Sequence, residues 1–97
     1  MASNTFFQEI DSLHSELERM DKSARLERLA IEKIRLNRLA NHFAQYLSVK
    51  GGFANDVERA YANRLLEMIN MVDAEGTKVT NDIAREVFKE AMKSLMK

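Results

Sequence analysis

The chain has 97 residues, with 15 basic and 15 acidic side chains, no net charge, no cysteine and no proline. That length carries one helical domain over residues 1–97 with a modest core. The balanced charge argues against a general nucleic-acid binder, and the missing cysteines exclude a disulfide framework or a thiolate metal site. No apolar run reaches the length of a membrane span, and the N-terminal residues lack the pattern of a secretory signal, so the expected location is the cytoplasm.

Glycine occurs only at Gly51, Gly52 and Gly76. With helix breakers this rare, the pattern predicts an all-α protein, a three- or four-helix bundle with helices at about residues 5–20, 22–50, 56–75 and 80–96. The first helix starts at a capping box, Thr5 to Gln8, and carries Ile10, Leu13, Leu17 and Met20 at steps of three and four on one face. Its end is ambiguous. Asp21 or Ser23 could cap a new helix, but no glycine or proline marks a turn there. The first two helices therefore form either a hairpin or one long helix of roughly 65–70 Å at 1.5 Å per residue, paired with a second chain. The hairpin is preferred, with Leu13, Leu17 and Met20 folding back on Ile31 and Ile34.

The second helix is apolar on two sides. Leu26, Leu29, Leu36, Ala40, Phe43 and Leu47 share one face, and Ile31 and Ile34 point nearly the opposite way. A helix apolar on both flanks is central in a bundle or buried at an oligomer interface, which predicts a dimer or higher assembly. After Gly51 and Gly52, Asn55 to Glu58 forms a second capping box. Val57, Tyr61, Leu65, Met68 and Val72 follow as a stripe. Gly76 closes that helix. Thr80 caps the last one, whose buried side is Ile83, Ala84, Val87, Phe88, Ala91 and Leu95, with Lys93 and Lys97 suiting its C-terminal end.

Charge alternates along the chain: net −4 over residues 1–21, +5 over 22–51, −3 over 52–76 and +2 over 77–97. Blocks of opposite sign suit antiparallel neighbours or complementary chains. Catalysis has little foothold, because the only histidines are His14 and His42, and no HExxH, GxSxG or phosphate-loop motif occurs. His14 with Glu18 is an i,i+4 pair short of metal ligands. No cofactor is expected. Met68, Met71, Met92 and Met96 are read as core filler, with Met71 and Met96 towards the exposed edges.

The segment 66–92 resembles the two-helix element in the tail domain of amidotransferase B subunits and YqeY-like proteins, through Ile83, Ala84, Glu86, Val87 and Phe88. That resemblance implies a helix pair and carries no functional residues.

The expectation is a small non-enzymatic protein–protein interaction module, an adaptor, assembly or regulatory factor. It works as a homo-oligomer and could also bind another protein, with interface residues Ile31 and Ile34, joined by Leu13 and Leu17 if the first helix does not fold back. The alternative is a small nucleic-acid-binding regulator using a basic face of the second helix, Arg25, Arg28, Arg35 and Arg38, whose guanidinium groups could fork onto phosphates.

Overall fold

The first long helical block ends where Asp21 takes over the chain. In the computed structural model, which describes residues 2–74, 76, 78–79 and 82–93 and side chains from Phe6 onward, α1 runs Ala2–Glu18 and α2 runs Lys22–Ile31. The last turn of α1 tightens, with the N–H groups of Arg19 and Met20 donating to the carbonyls of Glu16 and Leu17 at 3.2 Å. Asp21 is extended, at φ −71° and ψ 170°, and its side chain accepts from the Ala24 N–H at 2.8 Å. An N-cap aspartate satisfies a first-turn donor and so starts a new helix without glycine. The chain turns here, and the hairpin forms. A helix of 65–70 Å has no room in a molecule whose longest extent is 41 Å.

Three further helices follow among the described residues: α3 (Lys33–Lys50), α4 (Asp56–Asp73) and α5 (Asp82–Met92). The fold is all-helical, as expected, but the count is five rather than three or four. The block expected at 22–50 is broken at Glu32. Its N–H is shared between the carbonyls of Arg28 and Leu29, at 3.0 and 3.1 Å, and its dihedrals leave the helical well (φ −91°, ψ 10°). The shared bond tightens the turn locally, so α2 and α3 meet at a one-residue joint. The capping box at Thr5 is also corrected, since α1 already includes Ala2 and places Thr5 inside the helix.

Ion pairs and ring contacts give the helix directions. Glu16 with Arg28 and Glu9 with Arg35 set α1 antiparallel to α2 and α3. Phe7 with Tyr61, Asp11 with Arg64 and His14 with Glu67 set α1 parallel to α4. The acidic block of residues 1–21 thus lies along the basic block that follows it, as the charge alternation predicts. Asn55 caps α4 by accepting from the Glu58 N–H at 3.0 Å, and Glu58 reaches back to the Ala54 N–H at 2.9 Å. This is the expected two-way cap, shifted by one residue on the return leg. At the other end of α4, Asp73 accepts from the Val79 N–H at 2.9 Å and pairs with Arg85, which ties the α4–α5 connection to both helices.

The core is one cluster fed by every helix. Phe43 is its hub, fully buried, with the rings of Phe6, Phe7, Tyr46, Phe53 and Phe88 all within 6.1 Å of its centroid. Edge-to-face pairs of this kind add to the area they bury. Leu29, Leu36, Ala40, Phe43 and Leu47 are inside, as the periodicity of the second helix requires. Val57 and Ile83, expected inside, are exposed. Each is the second residue of its helix. The cap expected at Thr80 and the positions of Leu95, Met96 and Lys97 lie outside the described residues.

Candidate functional site

Five large apolar side chains are exposed among the described residues, Ile31, Ile34, Val49, Val57 and Ile83, and the first two fall close together in sequence on α2 and α3. Ile31 is 74% exposed and Ile34 is 85% exposed. Ile31 is the last residue of α2 and Ile34 the second of α3, so the two exposed isoleucines flank the joint. Ala30 and Glu27 border it towards the start of α2, and Arg38 borders it along α3, all three exposed. Single exposed apolar residues are ordinary on a protein surface. A pair of exposed β-branched residues close in sequence is the kind of feature that marks contact with another molecule.

The other two expected interface residues lie elsewhere. Leu13 and Leu17 are 0% and 3% exposed, buried in the chain's own core. The expected packing of Leu13, Leu17 and Met20 onto Ile31 and Ile34 is therefore corrected. Leu29 and Leu36 face the core, and Ile31 and Ile34, on the far side of the same helices, face out. The sequence had shown two apolar faces and could not tell which of them meets α1.

The four arginines separate by their partners. Arg28 donates through Nε to Glu32 at 3.0 Å and through Nη2 to Glu16 at 3.0 Å. Its pKa is held above the ordinary value mainly by the hydrogen bond to Glu32, with burial opposing and the charge of Glu16 adding. Arg35 bridges Glu9 at 3.2 Å and Glu32 at 3.5 Å, and Arg38 donates to Glu9 at 3.2 Å. Glu9 and Glu32 each hold two guanidinium groups, which makes this a network linking α1, the joint and α3. Arg25 is half-buried and forms no ion pair among the described residues. The basic face is thus largely neutralised by carboxylates of the same chain. Arg38, 62% exposed, keeps the most open guanidinium of the three paired arginines.

A second surface, which sequence reasoning missed, is a cleft between α3 and α5. It holds about 420 Å³ and is lined by Leu47, Gly51, Gly52, Glu86, Val87 and Ala91, among others. Gly51 makes it possible by ending α3 in the left-handed region at φ 83°, with its N–H donating to the Leu47 carbonyl at 2.8 Å. The glycine pair was the available signal, but it reads equally as a helix stop. The lining offers an apolar floor and carboxylates, with no nucleophile–base pair.

His14 is half-buried between two carboxylates, with Nε2 2.8 Å from Glu67 and Nδ1 3.7 Å from Glu18. Among the described residues no group of three or more His, Asp or Glu is placed to hold a metal ion, and no helix is long and apolar enough to cross a membrane. No protein family matches this chain, and no curated protein or solved structure matches it either.

Proposed function

We propose that this chain is a small non-enzymatic helical module that acts in the cytoplasm through protein–protein contact, working as a homo-oligomer. The observation that carries the reading is the exposed pair Ile31 and Ile34 on the outer face of α2 and α3. Burying an isoleucine that water now surrounds is worth about 1.5–3 kcal/mol, and a symmetric pairing would bury four of them at once. An adaptor, assembly or regulatory role is part of the same proposal, since a self-associating bundle would present its remaining faces in duplicate.

The nucleic-acid reading has less support. Three of its four arginines, Arg28, Arg35 and Arg38, already hold carboxylates within 3.5 Å. Phosphate binding would have to break those pairs and would show a steep salt dependence.

Sedimentation equilibrium on the unmodified chain tests the proposal. A mass above the 11.2 kDa of one chain at tens of micromolar is the expected result, and the double variant Ile31→Glu, Ile34→Glu should return to the monomer mass with its helicity kept. A native chain that stays monomeric at those concentrations overturns the reading.

A further inference from the structure

The cleft between α3 and α5 is one end of a longer groove. A second hollow of about 190 Å³ continues it towards the starts of both helices and shares Ser48 and Val87 with the first. Asn41 and Gln45 of α3 stand with Ile83 of α5 at that end, and Gly51 and Gly52 with Glu90 at the other, so the two helices run parallel along the groove. Each wall is a single unbroken helix. Along α5, Ile83, Glu86, Val87 and Glu90 recur at steps of three and four and so share one face. From Asn41 to Gly51 the groove follows α3 for about 15 Å at 1.5 Å per residue. Its floor is apolar and buried, made by Ala44, Leu47, Ala84 and Ala91. Val87 is half-buried at its middle, and Ile83, 77% exposed, stands at its open end.

We propose that this groove receives an amphipathic helix of another protein, apolar on its inward face and basic along the flank that meets Glu86 and Glu90. Charge complementarity selects the occupant. The charged side chains lining the groove are those two carboxylates, and the α3 wall contributes no charge beside them. Glu86 is exposed and takes no part in the ion pairs of α5, which join Lys78 to Asp82, Arg85 to Asp73 and Lys93 to Glu90. The Lys93–Glu90 pair is exposed on both sides, at 3.3 Å, and exposed pairs of this kind are easily exchanged. Lys50, at the end of α3, is turned over the Tyr46 ring, 5.5 Å from its centroid. Because α3 and α5 run parallel, their carboxy-terminal ends also lie at the Glu90 end, and helix C-termini carry partial negative charge. An extended peptide would find no free sheet edge here, since both walls are helices, whereas a helix brings its own backbone bonds with it. Neither Ile31 nor Ile34 lines the groove, so its occupancy does not depend on the homo-oligomer.

Two synthetic peptides test the groove. Each is alanine-rich, about 16 residues long, with leucines at steps of three and four, and carries either lysines or glutamates along both flanks of that stripe. Added to the isotope-labelled native chain, the lysine peptide should shift the amide resonances of Ser48, Gly51, Val87 and Ala91 and leave those of α1 and α2 in place. The glutamate peptide should bind at least about tenfold more weakly. The double variant Glu86→Lys, Glu90→Lys should reverse that preference. Ser48 is exposed and borders both hollows, so Ser48→Trp fills the groove without touching the core. It should weaken the lysine peptide at least about tenfold, with circular dichroism checking that the chain stays helical. Absence of binding, shifts centred away from the groove, or equal binding of the two peptides to the native chain would each overturn the proposal. The same amides shifting with protein concentration alone would give the groove to a second copy of this chain, and would overturn it too. A native chain that sediments as a monomer removes the homo-oligomer and leaves these expectations unchanged.

Discussion

Replacing Leu13 by alanine asks which of the chain's two apolar faces is its own core. Leu13 has no exposed surface and lies in the cluster shared by all five helices. The substitution removes three carbons, worth about 2.4 kcal/mol at about 0.8 kcal/mol each, and the unfilled space raises the cost to about 3 kcal/mol or more. For a domain of this size, about 3 kcal/mol lowers the melting temperature by about 12–24 °C. The effect belongs to a single chain, so it should be the same at micromolar and at hundred-micromolar protein. Ile34→Ala is the matched control. It shortens a side chain that is 85% exposed, and at low concentration its stability should stay within about 0.5 kcal/mol of native. Urea and thermal unfolding across a concentration series read both. The reasoning fails if Leu13→Ala leaves the midpoint in place, or if Ile34→Ala costs the dilute chain as much as Leu13→Ala does.

The remaining predictions concern the joints of the fold. Asp21→Ala removes the side-chain acceptor for the Ala24 N–H and should cost about 1 kcal/mol in urea unfolding, with amide exchange rising first in the opening turn of α2. Asp73→Ala leaves the Val79 N–H and Arg85 without their carboxylate. A loss of about 1–3 kcal/mol is expected, and unchanged stability would show that this carboxylate does not hold the α4–α5 connection. Tyr46 is pushed up to about 12 by burial and by its bond to Glu58, whose Oε2 accepts from the phenol at 2.5 Å. The folded chain therefore holds this proton more tightly than the unfolded chain does. The stabilisation is complete below pH 10 and is lost as pH rises from about 10 to about 12. In a Tyr61→Phe protein, ultraviolet titration of the single remaining tyrosine should find its midpoint near 12, and a midpoint near 10 would contradict its burial together with the Glu58 contact.

How far the sequence could be read depended on whether a feature left a mark in side-chain chemistry. The core face of α2 and α3 was legible because Leu29, Leu36, Ala40, Phe43 and Leu47 repeat at helical spacing. The turn at Asp21 was legible as a candidate because an N-cap needs a short acceptor side chain, although no glycine seconded it. The break at Glu32 left no trace, since one backbone N–H shared between two carbonyls requires no particular residue. Ile31 and Ile34 stood out as a second apolar face, but periodicity alone does not say which face turns inward. In the folded chain Leu29 and Leu36 face the core, and Glu9 and Glu16 of α1 pair with Arg28, Arg35 and Arg38. The α3–α5 cleft was missed because its walls come from segments far apart in sequence, which no local pattern relates.

Phe43 has a consequence for the order in which the protein is made. Its ring is enclosed by Phe6 and Phe7 from α1, Phe53 from the connection to α4, and Phe88 from α5. During synthesis the hairpin of α1 with α2 and α3 can form early, from contacts close in sequence. The side of α3 that receives Phe88 then stays uncovered until α5 emerges. For that interval the nascent chain exposes the aromatic and alanine-lined side of α3, the kind of transient apolar surface that favours aggregation during folding.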